Sequence, residues 1–191
     1  DGSVKWISDT GFSGSIGAFS IADLDEDGTP EIIGSDFVLD NEGNHLFSAQ
    51  GGDYSFSPAV ANLDGEPGME VVWGGSAYHS DGEIYFSGSG LPGFTAIADI
   101  DDDGLPEIIG TSFSGVLITE HDGETKWAGK PIDIGDVDAY IRPHCIQDFD
   151  GDDTPEMAMS TQDLFSVFSF EDDGSMSVDW SSPVLDDSGA A

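Results

Sequence analysis

Asp23-Leu-Asp-Glu-Asp-Gly-Thr-Pro-Glu31 decides the fold, because the same nine-residue pattern returns three more times. It returns as Asn62-Leu-Asp-Gly-Glu-Pro-Gly-Met-Glu70, Asp99-Ile-Asp-Asp-Asp-Gly-Leu-Pro-Glu107 and Asp148-Phe-Asp-Gly-Asp-Asp-Thr-Pro-Glu156, at intervals of 39, 37 and 49 residues. A short apolar run precedes each copy: Phe19-Ser-Ile-Ala22, Ala59-Val-Ala61, Thr95-Ala-Ile-Ala98 and Cys145-Ile146. Another follows each: Ile32-Ile33, Val71-Val-Trp73, Ile108-Ile109 and Met157-Ala-Met159. Apolar runs too short for helices, separated by Asp- and Gly-rich segments, predict strand, loop, strand.

A second turn lies further out in every unit, at Asn41-Glu-Gly43, Ser80-Asp-Gly82, His121-Asp-Gly123 and Asp172-Asp-Gly174. These residues supply the positive φ of a tight hairpin. A strand with an aromatic residue follows each turn, at Phe47, Phe86, Trp127 and Trp180, and that aromatic is expected to pack between neighbouring units. Each unit therefore holds four antiparallel strands. Four-stranded units repeating at about 40 to 45 residues predict an all-β chain of β-propeller blades. The expected blades span 19–50, 51–88, 89–130 and 131–181. Residues 1–18, with Trp6, read as the outer strand of a preceding blade plus a linker, and 182–191 as a linker towards a further blade. The expectation is a larger ring, completed by further sequence or by a second chain.

Charge narrows the function. The chain has 191 residues, with 39 Asp plus Glu against 4 Lys plus Arg, for a net charge of −35. Nucleic acid and anionic membrane surfaces both require a basic face, so neither is an expected partner. Hydrophobic residues make up 38%, too many for a disordered acidic tail. Some carboxylates can bind cations, but four calcium ions would still leave −27, so the excess also suits a salty medium that screens repulsion. A single cysteine, Cys145, precludes an internal disulfide, and no apolar run approaches membrane-spanning length.

The loop pattern itself is metal chemistry. Calcium takes about six to eight oxygen ligands, and side chains at alternate loop positions converge on one concavity. The first loop offers Asp23, Asp25, Asp27 and Glu31, with Gly28 for the sharp turn, and the third offers Asp99, Asp101, Asp103 and Glu107 with Gly104. The fourth offers Asp148, Asp150, Asp152 and Glu156, with Asp153 at the glycine position. Asp tolerates left-handed backbone better than most residues. The second is irregular. It offers Asn62, Asp64, Glu66 and Glu70, and Pro67 at the glycine position forces the turn to Gly65 or Gly68. Three to four calcium ions per chain are expected, calcium being preferred to magnesium because a flexible all-oxygen cage suits the larger ion.

These loops resemble the FG-GAP and VCBS repeats of integrin α-subunit propellers and many bacterial surface proteins. The resemblance covers nearly the whole chain and is carried by the Asp-x-Asp-x-Asp-Gly-x-Pro-Glu loops. It implies a calcium-stapled β-propeller and adds the main-chain carbonyls of Thr29, Leu105 and Thr154 to the ligands. It also implies an extracellular or cell-surface location and a role in adhesion, recognition or structure.

No catalytic constellation is expected. His45, His79, His121 and His144 fall in different units, with His79 and His121 reading as solvated turn residues, and Cys145 reads as a small core residue. The sequence has no nucleophile elbow and no zinc-protease helix motif. The expected partner is a protein or carbohydrate ligand on the face opposite the metal loops. Segments 13–18, 51–56 and 130–140, with Trp73, Tyr78, Phe94 and Tyr140 in or near them, would supply that face, although packing is the default role for each aromatic. Alternatives to an adhesion module are a lectin-like carbohydrate binder and an accessory domain of a secreted hydrolase.

Overall fold

The computed structural model describes residues 2–8, 17–51, 55–88, 93–112, 115–130, 143–160 and 164–183. Among these residues sixteen strands form four sheets, each an antiparallel meander of four consecutive strands. The first sheet comprises β1 (Ser20–Ala22), β2 (Glu31–Ile33), β3 (Phe37–Leu39) and β4 (His45–Ser48). The second comprises β5 (Ala59–Ala61), β6 (Glu70–Trp73), β7 (Ser76–Tyr78) and β8 (Ile84–Ser87). The third comprises β9 (Phe94–Ala98), β10 (Glu107–Ser112), β11 (Gly115–Thr119) and β12 (Thr125–Gly129). The fourth comprises β13 (His144–Gln147), β14 (Glu156–Ser160), β15 (Leu164–Phe170) and β16 (Met176–Pro183). The described residues contain no helix, and so none long and apolar enough to cross a membrane.

First strands of consecutive sheets lie side by side, β1 against β5, β5 against β9 and β9 against β13. The sheets do not close on themselves, so the architecture is an open series of four antiparallel sheets; Tyr140 and residues 184–191 lie outside the described residues. The second strand of each sheet is covered on both faces, which explains why β2, β6, β10 and β14 read as continuous apolar runs rather than alternating ones. The core is correspondingly divided. One cluster joins the first and second sheets through Ile33, Val38, Val71, Trp73 and Tyr78. A smaller one joins the second and third through Val72, Ala77 and Ile108. A third joins the third and fourth through Ile109, Ile118, Met157, Met159 and Phe168.

The hairpin glycines couple neighbouring sheets. A Cβ added at Gly82 would lie 2.8 Å from Phe47 of the preceding sheet, and one at Gly123 would lie 2.5 Å from Phe86. Gly174 stands likewise over Trp127 and Gly43 over Trp6, whose indole N–H also donates to the Asn41 carbonyl at 3.0 Å. The outer-strand aromatics thus pack between units, as the sequence predicts. Trp180 is the exception among the described residues, with 53% of its surface exposed.

Trp73 and Tyr78 take the default packing role and do not face a ligand, since both are fully buried between the first two sheets; the Trp73 N–H donates to the Gly34 carbonyl and the Tyr78 hydroxyl accepts from the Gln50 amide. One expectation is corrected. Cys145 is exposed rather than in the core, because β13 alternates and turns Ile146 inward in its place.

Candidate metal centres

Each nine-residue loop joins the first two strands of its sheet, and each is pinned by its ninth residue. Glu31, Glu70, Glu107 and Glu156 are all buried, and one oxygen of each accepts the amide of loop position 2. The donors are Leu24 at 2.9 Å, Leu63 at 2.8 Å, Ile100 at 2.8 Å and Phe149 at 2.7 Å. A buried carboxylate needs such partners to offset its lost hydration. Sequence reading took these glutamates as ligands only; their first role is to close the loop on its own backbone.

Within the loop the aspartates organise the chain. Asp25 accepts from Asp27, Asp27 from Thr29 and Asp23 from Gly28. Asp101, Asp103 and Asp99 repeat this with Asp103, Leu105 and Gly104, and Asp150, Asp152 and Asp148 repeat it with Asp152, Thr154 and Asp153. The sixth position is left-handed as expected, with φ of 89° at Gly28, 90° at Gly104 and 73° at Asp153. In the second loop the fourth-position turn is kept, at Gly65, and the sixth-position turn moves one residue on to Gly68, as Pro67 requires.

The loops gather different ligand sets. Asp148, Asp150, Asp152 and Glu156 each offer an oxygen within 4.8 Å of the others, as do Asp23, Asp25 and Asp27 in the first loop. Glu31 stands outside that first group, and Asp103 stands outside the third, which joins Asp99, Asp101 and Glu107. The second group is Asp64, Glu70 and His79. His79 is therefore no free turn residue: its Nδ1 lies 3.0 Å from Glu70 Oε1. Glu66 does not join it. The Asn62 amide spans the loop, accepting from Gly65 at 2.6 Å and donating to the Glu66 carbonyl at 2.6 Å.

Two observations test whether a cation fits. Asp23 Oδ1 and Asp99 Oδ1 are buried and have no hydrogen-bond partner, a costly state that a hard cation relieves. Electrostatics agrees for the first loop. Burial raises the Glu31 pKa, the Leu24 amide opposes this, and the charges of Asp25, Asp23 and Asp27 raise it further. The first, third and fourth loops supply all-oxygen sets of the kind that suits calcium, and the second adds a histidine nitrogen.

The third loop carries a group that sequence reading missed. Lys126 Nζ lies 2.6 Å from Asp101 Oδ2, 3.2 Å from Glu107 Oε1 and 3.0 Å from Glu120 Oε1. Burial acts to lower the lysine's pKa, but its hydrogen bonds to Asp101, Glu120 and Glu107 prevail and raise it. The same ammonium holds the Asp101 carboxyl below its ordinary value, whereas burial keeps Glu107 raised. Lys126 reaches the loop because β11 and β12 slip register between Ile118 and Thr119, so that the outer strand bulges at this residue.

No family model matches the chain, and no curated protein matches it. Its fold is similar to that of solved structures. The V. cholerae biofilm matrix protein Bap1 aligns with TM-score 0.53 and 17% identity over 93% of this chain and 43% of that one. The exotype rhamnogalacturonan lyase YesX aligns with TM-score 0.57 and 19% identity over 86% and 30%. The Bacillus licheniformis rhamnogalacturonan lyase PL11 aligns with TM-score 0.54 and 21% identity over 90% and 28%. The chain spans less than half the length of each, and at these identities the likeness establishes a shared all-β fold.

Proposed function

We propose that this chain is a non-catalytic, calcium-braced series of β-propeller blades of the FG-GAP/VCBS kind, serving outside the cell as an adhesion, recognition or structural module. The observation that carries the reading is the first loop, where three aspartates converge and a buried Asp23 oxygen has no partner. The fourth loop supports it with four convergent carboxylates. An ion at each would neutralise these groups and staple β1 to β2 and β13 to β14. Likeness in fold to a biofilm matrix protein fits an extracellular module, and a chain of −35 charge is compatible with a salty, calcium-rich medium.

Thermal unfolding with EDTA and then with millimolar calcium, alongside metal analysis, tests the proposal. An upward shift with at least two bound calcium ions is expected. Absence of both would leave the loops as solvated acidic turns and end the calcium reading.

A second reading is a carbohydrate-binding or accessory module of a secreted carbohydrate-active enzyme. It is favoured by the fold likeness to two rhamnogalacturonan lyases. Binding of rhamnogalacturonan oligosaccharides in a glycan array would support it, and a blank array in the presence of calcium would count against it.

A further inference from the structure

We infer that Lys126 is the third loop's own cation and that it competes with any divalent ion for that loop. The inference rests on the calcium reading of the other loops. Asp101 and Glu107, two of the three residues whose oxygens converge in this loop, are the same residues that hold the ammonium. A divalent ion drawn to them would stand within a few ångströms of a like charge. Calcium must therefore displace the lysine or bind weakly beside it.

Lys126 is not a passing surface partner. Its side chain is only 9% exposed. Its stem runs beneath the fourth sheet's hairpin, where a Cβ on Gly174 would lie 3.0 Å from Lys126 Cγ. The chain has just 4 basic residues, so burying one among carboxylates in a loop of this kind is a specific placement. The ammonium balances one side of the loop and leaves Asp99 Oδ1 without a partner on the other.

Equivalent positions in the other sheets show what the residue decides. Each hairpin begins where an amide closes on a carbonyl four residues on, at Asp40, His79, Glu120 and Glu171. Six residues beyond stand Leu46, Tyr85, Lys126 and Ser177. In the first three sheets this residue is the bulge. Of these four side chains, Lys126 alone brings a positive charge, so the outer-strand bulge sets which loop needs a metal.

Calcium titration by calorimetry, on chains stripped with EDTA and dialysed, compares wild type with Lys126→Met and Leu46→Lys. Lys126→Met should gain one calcium-binding event, or tighten one by about tenfold or more, because the like charge is gone. Leu46→Lys should lose the event of the first loop. Lys126→Met should also melt below wild type without metal and recover with calcium. A Lys126→Met titration identical to that of a calcium-binding wild type overturns the inference and leaves the calcium reading standing. Calcium binding by none of the three chains overturns the calcium reading and the competition with it. Should Lys126→Met fail to fold, Leu46→Lys decides, and unchanged stoichiometry there overturns the inference.

Discussion

The first and third loops have almost the same sequence and backbone but opposite electrostatic endings. Both turn at their fourth and sixth residues, with φ of 60° and 89° at Glu26 and Gly28 and 59° and 90° at Asp102 and Gly104. Both are closed by a buried glutamate on the amide of position 2. Yet the first sheet has the neutral Leu46 at the position equivalent to Lys126, leaving the first loop with concentrated negative charge, while the third loop is partly neutralised by Lys126. The loop motif sets the shape, and a residue from the outer strand sets the charge. The second loop extends the contrast, since Asn62 spans it with a neutral amide.

The largest expected effect separates the two kinds of loop by metal. At a thousandfold excess of calcium over Kd, each occupied loop should stabilise the fold by about 4 kcal/mol. Asp23→Asn combined with Asp25→Asn should remove most of one such increment, measured as the difference in unfolding free energy with and without calcium. Asp99→Asn combined with Asp103→Asn should remove far less, and equal losses would break the contrast. The next effect reverses the order. In EDTA, Glu107→Ala should cost about 2 to 4 kcal/mol, because it removes one of the ammonium's three carboxylate partners as well as the acceptor of the Ile100 amide. Glu31→Ala should cost only about 1 to 3 kcal/mol, the loss of the Leu24 contact, read by urea unfolding.

The smallest effect is in pH. The folded pKa of Glu31 is raised above its ordinary 4.5, so ionising it costs more in the folded chain. Its contribution is full below 4.5 and is lost as pH rises through the raised value. The metal-free melting temperature should therefore climb as pH falls through the raised value towards 4.5. Asp101 lies on the other side: its contribution is present above 3.8 and is lost as pH falls through its lowered value. The lysine's contribution is lost only above its raised pKa and stays constant throughout this range. Relief of general self-repulsion has the same sign as the Glu31 effect, so Glu31→Gln is the control. It should flatten part of the climb, and an unchanged profile would remove Glu31 as a cause.

The sequence disclosed what is local. The grouping of positions 1, 3 and 5 in the first and fourth loops, the left-handed turn at Asp153 and the displaced turn at Gly68 all follow from residue type over nine positions. The glycine hairpins and the aromatic after each were legible for the same reason. What escaped reading depends on contacts across strands. Lys126 follows Glu107 by 19 residues and faces the loop only because of a register slip. His79 looked like a turn residue until the hairpin brought it against Glu70. The bridge that the Asn62 amide makes between two backbone groups likewise depends on how the loop folds. Closure of the series into a ring depends on the angle between sheets, which no local pattern encodes.

The seating of each hairpin glycine on the previous sheet's aromatic gives the series a polarity. One surface of a unit presents an aromatic and the opposite surface presents a notch, so adjoining units join head to tail rather than face to face. Such a heterologous contact contains no instruction to stop, and closure or open growth follows only from the rotation between units. A gene duplication that adds one unit brings both the aromatic and the notch with it. The four-stranded unit is in that sense a self-propagating joint, free to vary its acidic loop without renegotiating its neighbours.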